Sequence, residues 1–259
     1  MLNSARLLSA FRAATIHLLC SFAVAVLVGT LVFSLWYPFP YRELSGGREL
    51  FLLVMAVDVV CGPLLTLVLF SPFKPKAELV RDLSLTVLIQ LLALVYGLNT
   101  VWQARPLYLV QEIDRFKVIA APDLVGNEAQ AELSALSTQL QSHMFAGPQV
   151  VAIRAPKDNI EREKVMIESI EGGRDYAQRP DFYIKYEGEA ALKSLKRAKP
   201  LAIFLQKRPE QEATAKALAV EKGVEISQWM YLPIVARQDW VAVLDKQGRI
   251  QGFIKGDGF

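Results

Sequence analysis

The chain contains very little cysteine or histidine. Its 259 residues include two cysteines, Cys20 and Cys61, and two histidines, His17 and His143. Both cysteines lie inside apolar runs, so we expect no disulfide framework and no thiol zinc site in the second half of the chain. That half has one histidine, and the lack of a histidine pair excludes most metalloenzymes. We therefore expect no metal and no other cofactor.

Familiar catalytic motifs are also scarce. The sequence has no Gly-x-Ser-x-Gly elbow, no Gly-rich phosphate loop and no Asp-x-Asp pair. His143 follows a stretch with a helical pattern, where a capping or surface histidine is commoner than a general base. The sequence therefore does not predict an enzyme.

The second half lacks an excess of basic charge. Residues 102–259 contain 22 Lys and Arg against 21 Asp and Glu. Nucleic-acid binding requires a clustered basic surface. We therefore expect no nucleic-acid partner.

The first hundred residues contain three long apolar runs. These are Ile16–Trp36, Leu50–Phe70, which includes Asp58, and Leu83–Val101. Each has about the 20 residues that an α-helix needs to cross a hydrocarbon layer. A cleaved signal peptide is the alternative for the first run, but Trp36-Tyr37-Pro38-Phe39 stands where small residues are expected. We predict transmembrane spans at 16–36, 50–70 and 83–101.

The basic residues beside these runs predict their orientation. The N-terminus and the loop between the second and third runs carry five, whereas the first loop carries Arg42 and Arg48. The positive-inside rule then makes residues 1–15 cytoplasmic, 16–101 the membrane domain and 102–259 a periplasmic domain in a bacterial inner membrane. Aromatic residues near the outer boundaries agree, as a predicted interfacial belt: Trp36, Tyr37, Phe39, Tyr41, Trp102 and Tyr108.

Asp58 is the most informative residue in the membrane part, because a carboxylate inside a span is costly and usually pairs or lines a functional path. Gln90 is expected at a similar depth in the third run. A hydrogen bond between the two that only stabilises the bundle is one interpretation, and a binding site is the other. Gly62 and Pro63 follow Asp58, and the proline removes one helical hydrogen bond.

Small residues also follow Gln90 on its own helix face. Ala93 and Gly97, three and seven positions further on, form a stripe that would let another helix approach. This stripe either closes the three-helix bundle or holds a fourth helix from a partner.

The second half predicts an α+β domain with a mixed sheet. The predicted elements are strands at Gln149–Ile153 and Leu201–Leu205, helices from Asp158 to Gly172 and from Pro209 to Gly223, a helical stretch near Ala129–His143, and a hairpin of Trp240–Leu244 with Ile250–Ile254.

The chain resembles the TfpX/TfpZ family of type IV pilin accessory proteins over about residues 10–125. The resemblance lies in the run Val57-Asp58-Val59-Val60-Cys61-Gly62-Pro63-Leu64-Leu65-Thr66, in Phe73-Lys74, Arg81-Asp82-Leu83, Gln90 and Leu92-Ala93-Leu94-Val95-Tyr96-Gly97, and in Arg105-Pro106 and Asp114-Arg115-Phe116-Lys117-Val118.

This resemblance implies an inner-membrane protein that helps a major type IV pilin to be stable, assembled or dynamically extended, without established catalysis. Inner-membrane lipid and the pilus assembly machinery are further expected partners. The hypothesis places the pilin helix against Asp58, Gly62, Pro63, Thr66, Gln90, Ala93 and Gly97. Coupling between the membrane and soluble parts is assigned to Tyr96, Arg105, Pro106, Arg115 and Phe116. The alternative is a periplasm-facing enzyme that modifies pilin or an envelope glycan.

Overall fold

The computed structural model describes residues 4–124 and 126–259. It contains two compact units, one formed by the helices up to residue 35 with residues 47–103, and the other by residues 36–46 with 104–259. The first three residues of the predicted cytoplasmic segment 1–15 lie outside the described residues.

The first unit consists of long apolar helices, as predicted. In chain order the helices of the first half are α1 (Ser4–Leu31, continued by a π-helical turn over Val32–Trp36), α2 (Tyr41–Leu44), α3 (Gly47–Leu69) and α4 (Lys76–Gln103). Three of them, Arg6–Trp36, α3 and α4, are long and apolar enough to cross a membrane. They begin before the predicted spans, because the Lys, Arg and Glu residues beside the apolar runs are good helix formers.

The second unit is an α+β domain. Its strands are β1 (Pro106–Gln111), β2 (Phe116–Ala120), β3 (Gln149–Ile153), β4 (Tyr183–Lys185), β5 (Lys199–Pro200), β6 (Met230–Val235), β7 (Trp240–Leu244) and β8 (Ile250–Lys255). Its helices are α5 (Asn127–Ala135), α6 (Asn159–Ile170), α7 (Glu189–Leu195), α8 (Leu201–Lys207) and α9 (Glu212–Lys222).

The sheet is mixed, with strand order β4-β3-β1-β2-β6-β7-β8 and β5 beside β6. The pairs β1/β3 and β2/β6 are parallel, whereas the other neighbours are antiparallel. The α+β prediction is therefore confirmed.

Both faces of this sheet are buried. Along β7, Trp240, Ala242 and Leu244 join one cluster, and Val241 and Val243 join another. This alternation follows from the two-residue period of a strand. Helices α8 and α9 cover part of the second face, and α2 covers the first.

Residues 36–46 contribute to the core of the sheet domain. Leu44 is fully buried, and its carbonyl accepts a hydrogen bond from the main-chain N–H of Gln238 at 3.0 Å. The ring of Phe39 packs edge to face on Trp240, with centroids 5.9 Å apart. The division drawn from the sequence places this segment in the membrane domain, whereas the structure groups it with the sheet.

Three of the residues assigned to the predicted interfacial aromatic belt lie in the protein core instead. Tyr37, Tyr41 and Tyr108 are buried in the sheet domain, because their large rings fill its core. Phe39 is exposed, and Trp36 and Trp102 are half-buried.

The prediction for Leu201–Leu205 is wrong, since this run forms the helix α8. Leu201 and Phe204 are buried and Ile203 is exposed, which is the helical period in a run too short to reveal it. The helix expected near 129–143 ends at Ala135. The hairpin and the helices that end near Gly172 and Gly223 are confirmed.

Candidate functional site: a polar groove in the helix bundle

α3 is the central helix of the first unit. α1 runs antiparallel along it, with the rings of Phe33 and Phe51 5.0 Å apart near one end and Arg6 donating to the Val68 carbonyl at 3.2 Å near the other. α4 packs along another side of α3, where Gly97 lies against Val54. α1 and α4 each pack mainly on α3 rather than on each other.

This arrangement leaves a groove with α3 as its floor and α1 and α4 as its walls. The cavity measures about 490 Å³ and is lined by Ala13, Ile16, His17, Cys20, Ser21, Val24, Asp58, Thr66, Leu83, Val87, Gln90, Leu91 and Leu94. Wall residues such as Ile16 and Leu91 are exposed, so the groove opens sideways, toward the lipid that surrounds a spanning helix. We call this cavity the lateral groove.

The lateral groove has a polar strip along its floor. His17 Nδ1 and Thr66 Oγ1 share a hydrogen bond of 2.6 Å between α1 and α3. Gln90 Nε2 donates to the main-chain carbonyl of Asp58 at 3.1 Å, which joins α4 to α3. All three helices therefore contribute polar side chains to one site.

The carboxylate of Asp58 is incompletely satisfied. Its Oδ1 atom is buried and has no hydrogen-bond partner among residues 4–124 and 126–259. Leaving a buried polar atom unpaired costs roughly 1–3 kcal/mol in proteins, and such atoms are rare in native structures. A hydrogen-bond donor brought by another molecule would satisfy this oxygen.

The two glycines of the predicted pilin contact serve the packing of α3 on α4. A Cβ atom at Gly62 would overlap the carboxamide of Gln90, and one at Gly97 would overlap the side chain of Val54. Glycine is thus required where the helices approach. Pro63 is half-buried inside α3, which is continuous from Gly47 to Leu69.

The remaining predicted contact residues divide between the groove and the outer surface. Thr66 lines the groove and is buried. Ala93 is exposed and does not line it. Asp58, Thr66 and Gln90 are therefore the predicted residues that the structure brings together at one site.

Sequence reasoning missed His17 and Ser21. The predicted span begins at Ile16, which places His17 at the membrane edge, whereas α1 begins at Ser4 and carries His17 well inside the helix. An ionisable residue within an apolar helix was the available signal. Ser21, four residues further on, lies on the same helix face and is buried.

The residues predicted to couple the two parts have diverse environments. Tyr96 is exposed, Pro106 begins β1 and Phe116 is fully buried in the core of the sheet domain. Arg105 is half-buried, and burial lowers its pKa from the ordinary value. Arg115 forms an ion pair with Asp114 at 2.7 Å and covers the ring of Phe259.

The sheet domain carries a cavity of its own, of about 710 Å³. It lies where the parallel strands β1 and β3 end, the edge at which open α/β sheets bind ligands. Glu112 lines it, and burial, followed by the nearby Asp175, raises the pKa of this carboxyl above its ordinary value. Within the described part of the chain, no three His, Cys, Asp or Glu side chains are placed to hold a metal ion.

The fold and the lateral groove define a class of protein: a membrane-anchored α+β protein whose three-helix bundle carries a polar, laterally open site. A family model described as "Fimbrial assembly protein FimB" matches residues 5–46. This segment contains nearly all of α1 and residues 36–46, which join the sheet core.

Relatives over the full length come from Dichelobacter nodosus. The chain is 35% identical to "Fimbrial assembly protein, serogroup I" and 34% identical to the serogroup E1 protein, in each case over 100% of this chain and 99% of the relative. It is 41% identical to the protein of serogroups C1 and C2 over 49% of this chain and 97% of that relative. The chain belongs to this family of fimbrial assembly proteins. No solved structure matches it.

Proposed function

We propose that this protein is a chaperone-like inner-membrane accessory protein for a major type IV pilin, as the resemblance to the TfpX/TfpZ proteins implies. The names of its relatives support a role in fimbrial assembly, and the proposal adds a pilin as the direct partner. The observation that carries it is the lateral groove, which is lined by Asp58, a residue whose Oδ1 atom is buried and has no hydrogen-bond partner in the described chain.

A transmembrane helix is the occupant that suits this groove. One helix seated between α1 and α4 would complete a four-helix arrangement on the floor formed by α3. The walls are apolar and would contact lipid-compatible side chains, whereas Asp58 would accept a hydrogen bond from a donor on the occupant. Contacts of this type are worth only ~1–2 kcal/mol each in membranes, so a client helix could be released to the assembly machinery.

A type IV pilin before assembly has the parts that the two units would engage, namely one hydrophobic helix and a globular head. We place the N-terminus in the cytoplasm and the sheet domain in the periplasm, from the predicted distribution of basic residues. The hydrogen bond from Arg6 to Val68 supports this, because it joins the basic start of α1 to the end of α3 that precedes Lys74 and Lys76. In this orientation the sheet domain is on the same side as the pilin head.

Deletion and complementation in the native host test this proposal. Without the protein, we expect the level of the neighbouring pilin and the number of surface pili to fall, and the wild-type gene to restore both. Complementation with Asp58→Leu should fail although the variant protein accumulates normally. Normal pilin level and piliation in the deletion strain would refute the proposal.

An enzyme that modifies pilin or an envelope glycan is the second candidate, favoured by the cavity beside Glu112. A carboxyl with a raised pKa in a cleft is a candidate general acid or base. Glu112→Gln separates the two functions, since it removes the titrating group without altering the lateral groove. Loss of piliation in this variant, with pilin level and groove binding unchanged, would support the enzyme.

A further inference from the structure

The loop between α5 and β3 presents two apolar side chains to the outside of the sheet domain. Phe145 is 76% exposed and Met144 is 54% exposed. Phe39, in the segment 36–46, is also exposed. Adjacent large apolar side chains that are exposed, as Met144 and Phe145 are, are candidates for an interaction surface.

The loop is fixed to the end of the first long apolar helix. The indole Nε1 of Trp36 donates a hydrogen bond to the Met144 carbonyl at 3.1 Å. Trp36 is the last residue of the candidate span Arg6–Trp36. A tryptophan at the end of a span typically lies among the lipid head groups, with its N–H available to a polar partner. This bond places Met144 beside the residue at which the candidate span ends.

Hydrogen bonds at its base order the rest of the loop. The buried Tyr108 hydroxyl donates to the Leu140 carbonyl at 3.0 Å. Gln149 Nε2 donates to the Gln141 carbonyl at 2.7 Å, and Gln141 Nε2 donates to the Leu136 carbonyl at 2.9 Å. The loop is thus attached to β1 and β3, and the tip at residues 144–145 projects from an ordered base.

We propose that Met144 and Phe145 form an interfacial anchor that inserts into the bilayer beside the end of the first span. The partner is lipid, because Trp36 is the last residue of the first candidate span and its hydrogen bond to Met144 would keep the tip at the membrane surface whatever else the protein binds. Insertion of two apolar side chains gains the free energy of removing their surface from water. The anchor does not depend on the binding of pilin.

Spin-label accessibility of the full-length protein in nanodiscs of phosphatidylethanolamine and phosphatidylglycerol tests this anchor. The labels are attached to Phe145→Cys or Met144→Cys in a background that carries Cys20→Ala and Cys61→Ala. Ile170→Cys, on the exposed side of α6, and Val220→Cys, on α9, are the controls. Collisions with oxygen, which concentrates in hydrocarbon, are compared with collisions with a water-soluble nickel chelate.

We expect both loop labels to collide with the nickel chelate several-fold less often than the controls and with oxygen more often. Transfer from nanodiscs to a lipid-free amphiphilic polymer should remove much of this difference. Nickel accessibility at position 145 equal to that at position 220 would overturn the proposal. So would protection from both reagents, because it would mean that protein, rather than lipid, covers the loop.

Discussion

The side-chain amide of Gln90 donates to the main-chain carbonyl of Asp58, and not to its carboxylate. The hydrogen bond expected between these residues therefore forms, but it leaves the Oδ1 atom of Asp58 buried and unsatisfied within the described chain. The contact between α3 and α4 thus uses the main chain of Asp58 and not its Oδ1 atom. This separation allows the roles of the main chain and the carboxylate to be tested independently.

Replacement of Asp58 by leucine should abolish client binding while preserving the bundle. It removes a buried polar atom without a partner, so the free energy of unfolding should stay the same or rise by about 1 kcal/mol. Asp58→Asn keeps an acceptor oxygen and should retain part of the binding. Thermal unfolding in detergent and copurification with pilin measure the two effects. Unfolding of the leucine variant would assign Asp58 to bundle stability.

Addition of a methyl group at Gly62 should destabilise the contact between α3 and α4. The new Cβ would overlap the Gln90 carboxamide, and overpacking of this kind costs about 1–3 kcal/mol. Gly62→Ala combined with Gln90→Ala should recover part of this loss, because the shorter side chain makes room. Ala93→Val is the matched control on the exposed side of α4 and should be nearly neutral. Unfolding by heat in bicelles provides the comparison.

The hydrogen bond between His17 and Thr66 should contribute to the packing of α1 on α3. Thr66→Val preserves the shape of the side chain and removes the hydroxyl, and we expect a loss of about 0.5–1.5 kcal/mol. Thr100→Val is the control, since the Thr100 hydroxyl donates to the main-chain carbonyl of Tyr96 on its own helix. Equal effects of the two substitutions, measured by unfolding in detergent, would exclude a specific role for the contact between helices.

Truncation of Leu44 should destabilise the sheet domain, although the residue lies between two apolar helices in the sequence. Because Leu44 is fully buried against the sheet, Leu44→Ala should cost about 2–5 kcal/mol. Leu192→Ala, at an exposed position of α7, should have little effect. Limited proteolysis of the full chain reports the difference, with faster cleavage expected within residues 104–259. Unchanged proteolysis would mean that residues 36–46 do not contribute to the domain.

The sheet domain should lose stability in acid through Glu161. Hydrogen bonds from Arg154 lower the pKa of this carboxyl from 4.5 to about 2. A carboxyl whose pKa is lower in the folded state stabilises the fold above its unfolded pKa, and this contribution disappears as the pH falls toward the folded pKa. Glu161→Gln should flatten the dependence of the melting temperature on pH between 4.5 and about 2. Glu163→Gln, at an exposed position of the same helix, is the control substitution.

The sequence predicted the features that depend on long or local patterns. Three apolar runs of sufficient length predicted the helices that are long and apolar enough to cross a membrane. The Asp158 carboxylate accepts a hydrogen bond from the Glu161 main-chain amide at 2.7 Å, as its capping-box spacing predicts. The strands β1, β2, β4, β5 and β6 were not identified from the sequence. Of these, β1 and β6 are largely buried and show no alternation of apolar and polar residues. Such runs cannot be distinguished from buried helices by periodicity.

The sequence could not predict contacts that depend on how the helices and loops pack. Asp58 and Gln90 were expected at one depth, but only the structure assigns the hydrogen bond to the main chain. His17 joins them because α1 begins far before its apolar run. Tyr41 and Leu44 enter the sheet core from the short helix α2, and no local pattern reveals such a tertiary contact.

Photocrosslinking from the walls of the lateral groove tests the central claim most directly. A photoreactive residue is placed at Ile16 or Leu91, which face the groove, or at Leu53, which is exposed on α3 and does not line it. In cells that express the neighbouring pilin, we predict pilin adducts from positions 16 and 91, their loss on Asp58→Leu, and none from position 53. Equal adducts from all three positions, or no pilin adduct from either wall, would contradict the account.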